Sequence, residues 1–576
     1  MKKKIVTILL TAGILATSVT GCGSVNSETS PTIASTTYES TKEACTADEA
    51  VYDYAPTVDN KASKESGAES YNTYESACEE AWYDMDDQIN PYNNRYTNEK
   101  YEDLIENEYT QVAVNPLSTF AADVDTASYS NLRRMINDGY SLQNIPKDAI
   151  RTEELVNYFK YNYKEPSDGE IFGVNAQVGS CPWNKDAKLM TVGINTATLN
   201  SKDIPDCNIV FLVDVSGSMS GAKKLPLIQK AMALLVDNFD DDDRISIVTY
   251  ASGVRTVLDG CRGGNQRKII KAFESLSAGG STNGGDGIKM AYEVASKNFI
   301  KGGVNRVIIC SDGDFNVGLT TKDELEEMIT KKKDSGIFLS TLGFGMGNYS
   351  DTTMETLADK GNGNYAYIDD LTEAKRVLVD EMSSTFLTVA KDVKLQVEFN
   401  PQLVSKYRLV GYENRALNNS DFKDDTKDGG ELGAGHQVTV IYEIFTADDN
   451  SSEELKYQDT KVSKKGALGD EFATVSIAYK EPSKNESNYL EYPIGVECYA
   501  KNPSDDFKLS TAIALSSLAI KDSEYLKSLD QMEALESSLK IINNLKKNYK
   551  DEYIDEFTTM LDSLINGSYY MEWYED

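Results

Sequence analysis

Apolar stretches and stretches with helical spacing alternate through the middle of the chain. Residues 208–213 form a continuous apolar run with β-branched side chains, which is typical of a strand buried on both faces of a parallel sheet. Residues 224–236 then repeat apolar side chains at helical spacing. Pro226 falls in the first turn of this helix, where its missing N–H leaves no hydrogen bond unmade. The alternation predicts an α/β domain with a parallel sheet and helices on both faces.

This alternation continues to about residue 383, and we place the domain at 206–383. Two more buried strands are predicted at 244–250 and 305–310. The remaining expected elements are an antiparallel edge strand at 254–258, helices at 269–276, 287–299 and 323–332, strands at 337–343 and 364–368, and a closing helix at 372–386. The expected fold class is therefore α/β, with the strand and helix order of a Rossmann-like sheet.

The two flanks of this domain have other patterns. The preceding region, 111–205, is expected to be α+β, with helices at 127–138 and 150–161 and strands at 172–178 and 188–193. Region 384–500 alternates apolar and polar residues, which is typical of half-buried strands and predicts a small β-sandwich. Its clearest strands are at 392–399, 437–444 and 471–478.

The final region, 501–576, has helical spacing again. Helices are predicted at 507–520, 525–547 and 553–564. We expect them to pack back on the β-sandwich, because helices with one apolar face need a surface to cover.

The first 110 residues have no pattern of a folded domain. In residues 1–22, three lysines precede an apolar stretch and small residues lead to Cys22, as in a signal peptide. Residues 23–110 are rich in Ser, Thr, Glu, Asn and Tyr and poor in aliphatic side chains, which predicts a disordered acidic tether. No other stretch reaches the roughly 18 apolar residues of a membrane-spanning helix.

The charge of the chain restricts its partners. The formal net charge is −34 over 576 residues. Such an excess repels nucleic acid, and no basic patch with interleaved aromatic residues is present in the sequence. The charge is suited to a solvated ectodomain or to a protein that attracts cations.

Candidate chemistry begins directly after the strand at 208–213. Asp214, Ser216 and Ser218 offer one carboxylate and two hydroxyls within five residues, and Gly217 lets the backbone turn sharply between them. Hard oxygen donors with few charges favour Mg²⁺ over Ca²⁺. Ligands bind at this end of the strands in open α/β sheets. The alternative is a plain Gly/Ser turn with an acidic neighbour.

Two later stretches add similar groups. Residues 278–285 form a Gly-rich loop that carries Thr282, and Asp312 follows the strand at 305–310. The pattern resembles the metal-ion-dependent adhesion site (MIDAS) of von Willebrand factor type A (VWA) domains, with one match at each of five positions. The resemblance implies that the serines and the threonine contact a divalent metal and that the aspartates bind directly or through water. It also implies that a carboxylate of a protein partner completes the coordination.

The flanks resemble a bacterial lipoprotein family built around such a domain. The matching motifs are PLSTF at residues 116–120 and DVDTASY at residues 123–129. Residues 19–22 resemble the lipoprotein box, in which the cysteine is lipidated. This implies a lipid anchor at Cys22, with the chain on the extracytoplasmic face of a cell membrane or outer membrane. Ordinary secretion, with a cysteine at this place by chance, is the alternative.

The sequence lacks the motifs of several common classes of enzyme. His436 is the single histidine, which excludes HExxH and most Ser/His/Asp arrangements. Residues 279–285 lack the GK[ST] of a phosphate-binding loop, and the eight cysteines form no CxxC pair. Asp123 and Asp125 are expected to cap a helix or to pair with Arg133 or Arg134, with metal binding as the alternative. We therefore expect a protein that is not an enzyme.

The sequence thus predicts a lipid-anchored protein whose VWA domain binds a protein partner through Mg²⁺, or through Ca²⁺ or Mn²⁺. Its expected metal ligands are Asp214, Ser216, Ser218, Thr282 and Asp312. The alternative is an envelope scaffold or assembly factor that acts through its flanking domains, with the metal structural or absent.

Overall fold

The structure of the chain is a computed structural model. It describes residues 101, 103–122, 125–167, 169–199, 204–281, 284–313, 322–345, 351–382, 384, 387–447, 470–482, 484, 486–549 and 551–567. The predicted signal peptide with Cys22, most of the predicted tether, Asp123 and Thr282 lie outside the described residues.

The N-terminal region begins earlier than its composition predicts. Residues 103–110, which the composition places in the tether, contact the folded region. The Tyr109 hydroxyl donates a hydrogen bond of 2.8 Å to Glu443, and the Asn107 amide donates one of 2.8 Å to the Gly411 carbonyl. The elements that follow are β1 (Thr110–Gln111), β2 (Leu117–Ala121), α1 (Ala127–Asn137), α2 (Thr152–Val156), β3 (Phe172–Ser180) and β4 (Lys188–Thr196).

Helix α2 is much shorter than the helix predicted at 150–161. It ends at Val156, and the side chain of the next residue, Asn157, binds both the Glu153 carbonyl of the last turn and a neighbouring strand. The Asn157 amide oxygen accepts from the Thr439 N–H at 2.6 Å, and its nitrogen donates to the Thr439 carbonyl at 3.1 Å. The helical spacing of the sequence here reflects the burial of Tyr158 and Phe159 in an irregular segment.

The central region has the predicted α/β order. Its elements are β5 (Cys207–Asp214), α3 (Leu225–Val236), β6 (Arg244–Tyr250), β7 (Val254–Arg262), α4 (Gln266–Glu274), α5 (Gly284–Lys297), β8 (Val304–Ser311), α6 (Lys322–Asp334), β9 (Phe338–Phe344), α7 (Asp351–Lys360), β10 (Tyr365–Ile368) and α8 (Leu371–Lys375). The sheet order is β10-β9-β8-β5-β6-β7, and all neighbours are parallel except β6 and β7.

Strand β5 shows why this sheet forms. Ile209, Phe211 and Val213 enter the hydrophobic core on one face, while Val210 and Leu212 enter the core on the other. A strand that is buried on both faces needs apolar residues at every position. This confirms the prediction of a parallel sheet with helices on both sides.

The predicted closing helix at 372–386 is interrupted rather than continuous. The α-helix ends at Lys375, a π-helical turn follows over Arg376–Asp380, and Met382 and Ser384 are α-helical again. The helix begins as expected for a capped N-terminus, since the Asp370 side chain accepts from the Glu373 N–H at 2.8 Å. The change to π geometry accompanies the ion pairs that hold Arg376, described below.

The C-terminal region contains the predicted strands and then the predicted helices. Its elements are β11 (Thr388–Phe399), β12 (Val404–Val410), β13 (Gly430–Gly433), β14 (Gln437–Thr446), β15 (Glu471–Lys480), β16 (Ser487–Gly495), α9 (Asp505–Ile520), α10 (Gln531–Leu545) and α11 (Glu552–Asn566). Helix α10 begins later than predicted because Asp530 and Glu533 form a capping box there.

The N-terminal and C-terminal regions build one β-sandwich together. One sheet has the order β1-β12-β14-β4-β3, and the other has the order β13-β11-β15-β16, with β2 also paired to β11. Val192 of β4 lies opposite Val440 of β14, and Thr119 of β2 lies opposite Gln396 of β11. The α/β domain is therefore inserted between two halves of one sandwich, whereas the sequence pattern predicts two separate flanking regions.

A helical layer covers one sheet of the sandwich, as predicted for the terminal helices. Ile513 of α9 and Leu561 of α11 share a core with Leu155 of α2 and with Trp183 and Ile441. Nearly every residue of α9 from Phe507 onward is buried, so this helix lies in the centre of the layer. Among the described residues, no helix is both long and apolar enough to span a bilayer.

Buried ion pairs join the inserted domain to this helical layer. Arg133 of α1 donates from Nε to Asp369 at 2.9 Å, and from its terminal nitrogens to Glu373 at 3.0 Å and Glu556 at 2.9 Å. Arg376 binds Glu373 at 2.8 Å. We call Arg133, Asp369, Glu373, Arg376 and Glu556 the arginine joint.

The electrostatics within the arginine joint differ from one carboxylate to the next, since burial raises the pKa of Asp369 to about 6 despite the nearby charge of Arg133. Burial alone would raise the pKa of Glu373, but Arg376 and Arg133 together hold it below its usual value. Asp125 has another partner than the sequence predicts. It was expected to cap a helix or to pair with Arg133 or Arg134, and it binds Arg415 at 2.8 Å. Arg133 cannot take that partner, since its guanidinium is directed into the joint.

Candidate metal site

The candidate site begins where β5 ends. Asp214, the last residue of this strand, is fully buried. The next backbone N–H, that of Val215, donates to the Tyr250 carbonyl at 3.0 Å and so keeps the chain against β6. A short 3₁₀ turn over Gly217–Ser220 leads to α3, which has its proline in the first turn as predicted.

This turn brings the first three predicted ligands together. Asp214 Oδ1 accepts from the Ser216 N–H at 2.7 Å, and the Ser216 and Ser218 hydroxyl oxygens lie 3.0 Å apart. Ser216 is buried, whereas Ser218 is exposed. The carboxylate and the two hydroxyls therefore form one group that reaches from the interior to solvent.

Asp312 reaches the same place from the neighbouring strand. In the parallel pairing of β5 with β8, Val213 lies opposite Cys310, so both strands end at the same level. The Ser311 hydroxyl contacts Asp214 Oδ2 at 3.5 Å, and Asp312 is 5% exposed. The two predicted aspartates thus lie together at the carboxyl edge of the sheet.

Thr282 lies outside the described residues, and its place in the site remains a prediction. The loop that leads to it is fixed beside the turn of Ser216. The Gly279 N–H donates to the Val215 carbonyl at 2.8 Å, and the Gly217 N–H donates to the Gly280 carbonyl at 3.0 Å. Gly280 has a φ of +91°, and a Cβ there would come within 2.4 Å of the Ser252 hydroxyl. Only glycine is suited to that position.

The electrostatics of these residues are suited to a cation. Burial raises the pKa of Asp214 to about 6, against the hydrogen bonds from Ser216, and the charge of Asp312 adds to the rise. Tyr250, buried beneath the site, has a pKa far above its usual value because of burial and the charge of Asp214. A bound cation would compensate the two neighbouring carboxylates.

The donor set is suited to a hard divalent ion that keeps water ligands. Within the part of the chain that the structure describes, no group of three or more His, Cys, Asp or Glu side chains is placed to hold a metal. A metal at Asp214 and Asp312 would therefore depend on serine hydroxyls and water to complete its shell. That coordination is typical of Mg²⁺ and Mn²⁺ rather than Zn²⁺.

One charged residue of the site was not predicted from the sequence. Lys224 donates from Nζ to Asp312 Oδ2 at 2.8 Å, and its side chain is 15% exposed. The sequence signal is weak, since Lys223 and Lys224 look like an ordinary solvated pair before a helix. The contact depends on where β8 places Asp312, which local sequence does not reveal.

The single histidine and the described cysteines are the remaining candidates for chemistry. The backbone of His436 is in the turn before β14, where its N–H donates to the Thr196 hydroxyl at 3.0 Å. Burial and the nearby positive charge of Lys160 lower the pKa of its imidazole to about 4. Cys181, Cys207, Cys261, Cys310 and Cys498 are free thiols. Cys310 lies two residues before Asp312, but its thiol is fully buried and burial raises its pKa, so it offers no base to the site.

Comparisons with known proteins match three successive stretches of the chain. Three family descriptions match in succession: "von Willebrand factor" at residues 95–191, "von Willebrand factor type A domain" at 208–380, and "Uncharacterized protein YfbK, C-terminal" at 384–564. The second match coincides with the α/β domain inserted in the sandwich. The expected VWA fold is thereby confirmed.

Individual relatives show how far the similarity extends. "Uncharacterized protein YfbK" from Escherichia coli (strain K12) is 40% identical over 469 residues, which are 79% of this chain and 80% of that protein. "Uncharacterized protein sll0103" from Synechocystis sp. is 26% identical over 316 residues, 53% of this chain and 70% of that protein. Among solved structures, "von Willebrand factor type A from Catenulispora acidiphila" is 16% identical with a TM-score of 0.40, covering 70% of this chain and 91% of that one.

Proposed function

The chain belongs to the YfbK family, and from this premise we propose that its VWA domain binds a protein partner through a divalent cation. VWA domains generally mediate protein interactions and can bind a metal at a MIDAS. The observation that carries the proposal is the convergence of Asp214, Ser216, Ser218 and Asp312 at one edge of the sheet. We assign no catalytic activity to this site.

The residues have distinct parts in this proposal. Asp214 and Asp312 supply the negative charge, Ser216 and Ser218 supply neutral oxygens, and Thr282 is the fifth proposed ligand. When bound, the metal would supply an open coordination position at the exposed end of the group, beside Ser218. A carboxylate of the partner fits that position because it replaces a water and adds an opposite charge.

The proposed setting is the outer face of a membrane. Cys22 would carry lipid, and the acidic segment that follows would hold the folded region away from the bilayer. A cell membrane and an outer membrane are both compatible with this anchor. Palmitate labelling of the full chain and of Cys22→Ser in a bacterial host tests it, since only the former should be labelled.

A carboxylate probe tests the open coordination position. Mn²⁺ that is fully bound by an excess of the purified full chain should enhance water proton relaxation, and titrated acetate should reduce that enhancement by displacing a metal-bound water. Ser218→Ala, which removes the exposed hydroxyl, should weaken Mn²⁺ binding. A relaxation signal that acetate leaves unchanged would show that the metal offers no position to a partner carboxylate.

A scaffold function is the second candidate, and the composite sandwich favours it. Both flanks of the VWA domain contribute strands to the same two sheets, so the insertion holds the domain on a large continuous body. In that case a partner would bind the sandwich or its helices. Once a partner is known, its binding would survive a chelator and Asp214→Ala under the scaffold function and would be lost under the metal-dependent one.

A further inference from the structure

Lys224 is a cationic side chain placed inside the candidate metal site. Its ammonium is 2.8 Å from Asp312 Oδ2, and the two side chains are 15% and 5% exposed. The pair is thus largely withdrawn from solvent, where charge interactions are stronger than at the surface. The contact brings a positive charge to the carboxylate that a divalent ion would also use.

The fold makes room for the lysine side chain. Lys224 lies directly before α3, and its N–H donates to the Gly221 carbonyl at 3.0 Å. Its aliphatic stem crosses Gly345, where a Cβ would come within 2.3 Å of Lys224 Cε and 2.4 Å of Cγ. Gly345 has a φ of +84°, so both its backbone and the space above it require glycine. The absence of a side chain at Gly345 therefore leaves the space in which the lysine side chain extends to Asp312.

Lysine differs from arginine in how firmly it holds a carboxylate. An ammonium on a flexible four-carbon stem is a point charge that can move away from one acceptor, whereas a guanidinium holds a carboxylate in a fixed fork. A displaceable ion pair allows Asp312 to be shared between the lysine and another cation. Building on the proposed metal-dependent function, we propose that Lys224 is an internal competitor that lowers the affinity of the site for divalent ions.

The same placement couples the metal to an anionic ligand. Two carboxylates and one ammonium leave a single negative charge, so a divalent ion changes the charge of the group to a single positive one. A carboxylate from a partner restores neutrality and gives the displaced ammonium a new acceptor. The metal is therefore held weakly alone and more tightly together with an acidic partner. Lys224 makes partner binding and metal binding cooperative.

Calorimetric titration of Mn²⁺ into the purified full chain tests this inference. Lys224→Met keeps the length of the stem and removes the charge, and it should bind Mn²⁺ roughly tenfold more tightly than the unmodified chain. Lys224→Arg is the matched control, because it keeps the charge and should bind no more tightly than the unmodified chain. Equal or weaker binding by Lys224→Met would overturn the inference.

A second measurement concerns the coupling to anions. Acetate should raise the Mn²⁺ affinity of the unmodified chain by more than that of Lys224→Met, since the ammonium is the group that acetate compensates. An equal effect of acetate on both chains would contradict the cooperative role. A lysine that only packed against Gly345 would not produce this difference.

These titrations separate the inference from the proposed function. Mn²⁺ binding by the unmodified chain that is lost in Asp214→Ala, with no change in Lys224→Met, would support the metal site and reject the role of the lysine. Binding by Lys224→Met alone would support the competitor role directly. No binding by either chain, with both shown by circular dichroism to be folded, would reject the metal site and the inference together. Lys224→Gln is a second neutral variant if Lys224→Met fails to fold.

Discussion

Two groups of buried or half-buried carboxylates in this chain are compensated in different ways. In the arginine joint, Asp369, Glu373 and Glu556 each bind a guanidinium at hydrogen-bond distance. In the candidate metal site, the described hydrogen bonds to Asp214 come from a backbone N–H and a serine hydroxyl. There the described ion pair is that of Lys224 with Asp312.

The difference indicates that buried charge stabilises the structure in the arginine joint and serves ligand binding in the candidate metal site. Arginine presents a rigid fork that fixes the position of its carboxylates, and this is suited to a joint that must hold an inserted domain in place. Serine hydroxyls and a flexible lysine compensate the aspartates only in part. A site of that kind can accept an added cation, whereas each carboxylate of the joint already binds a guanidinium.

Removal of an arginine from the joint should have the largest effect. Arg133→Leu leaves Asp369, Glu373 and Glu556 without their shared counter-ion, and breaking a buried pair in this way costs about 3–5 kcal/mol. The midpoint of urea unfolding should fall accordingly. Arg255→Leu is the matched control, because Arg255 is exposed on β7. A similar midpoint for the two variants would show that the joint contributes no special stability.

The same substitution at one aspartate of each group should give different results. Asp369→Asn in the joint should destabilise the metal-free chain by about 2–3 kcal/mol, because it weakens a charged hydrogen bond to Arg133. Asp214→Asn should change the free energy of unfolding by less than about 1 kcal/mol, because it also relieves repulsion from Asp312. Urea unfolding in EDTA measures both. Equal losses would contradict the distinction between the two groups.

The pH dependence at His436 should give the smallest effect. Its folded pKa of about 4 lies below its ordinary value. Below about pH 6.5 the unfolded chain therefore binds a proton that the folded chain does not bind. Stability should fall by about 1–2 kcal/mol as the pH drops from 6.5 to 4, after allowing for the partial exposure of the ring.

His436→Asn isolates this contribution from the buried acids that titrate in the same range. His436 is the single histidine of the chain, so the difference between the two stability curves reports on this residue alone. The difference should narrow as the pH drops from 6.5 to 4, because the unmodified chain loses the advantage of a neutral histidine. A difference that stays constant over that range would contradict the lowered pKa.

The sequence predicted the α/β domain well because its strands carry their own signal. The alternation of Ile209, Val210 and Phe211 between two cores requires an unbroken apolar run, and such a run is visible locally. The shared sandwich could not be predicted in the same way. The pairing of Val192 with Val440 joins residues far apart in the chain, and alternation in each segment does not identify its partner.

The site itself was predictable in part. Asp214, Ser216 and Ser218 follow one strand, and Asp312 ends the neighbouring strand, so the rule that parallel strands end together brings them to one edge. Lys224 and the arginine joint were missed, because each depends on contacts between distant segments. The pairing of Asp125 with Arg415 is of the same kind.

Calorimetric titration of Mg²⁺ and Mn²⁺ into the purified full chain, beside Asp214→Ala, tests whether Asp214 and its neighbours bind a divalent ion. Asp369→Ala is not a suitable control, since it damages the joint, whereas Asp240→Ala removes an exposed acid from a solvated turn. We expect saturable binding at one site, retained in Asp240→Ala and lost in Asp214→Ala. Binding that persists in Asp214→Ala, or its absence from every chain including Lys224→Met, would contradict this expectation.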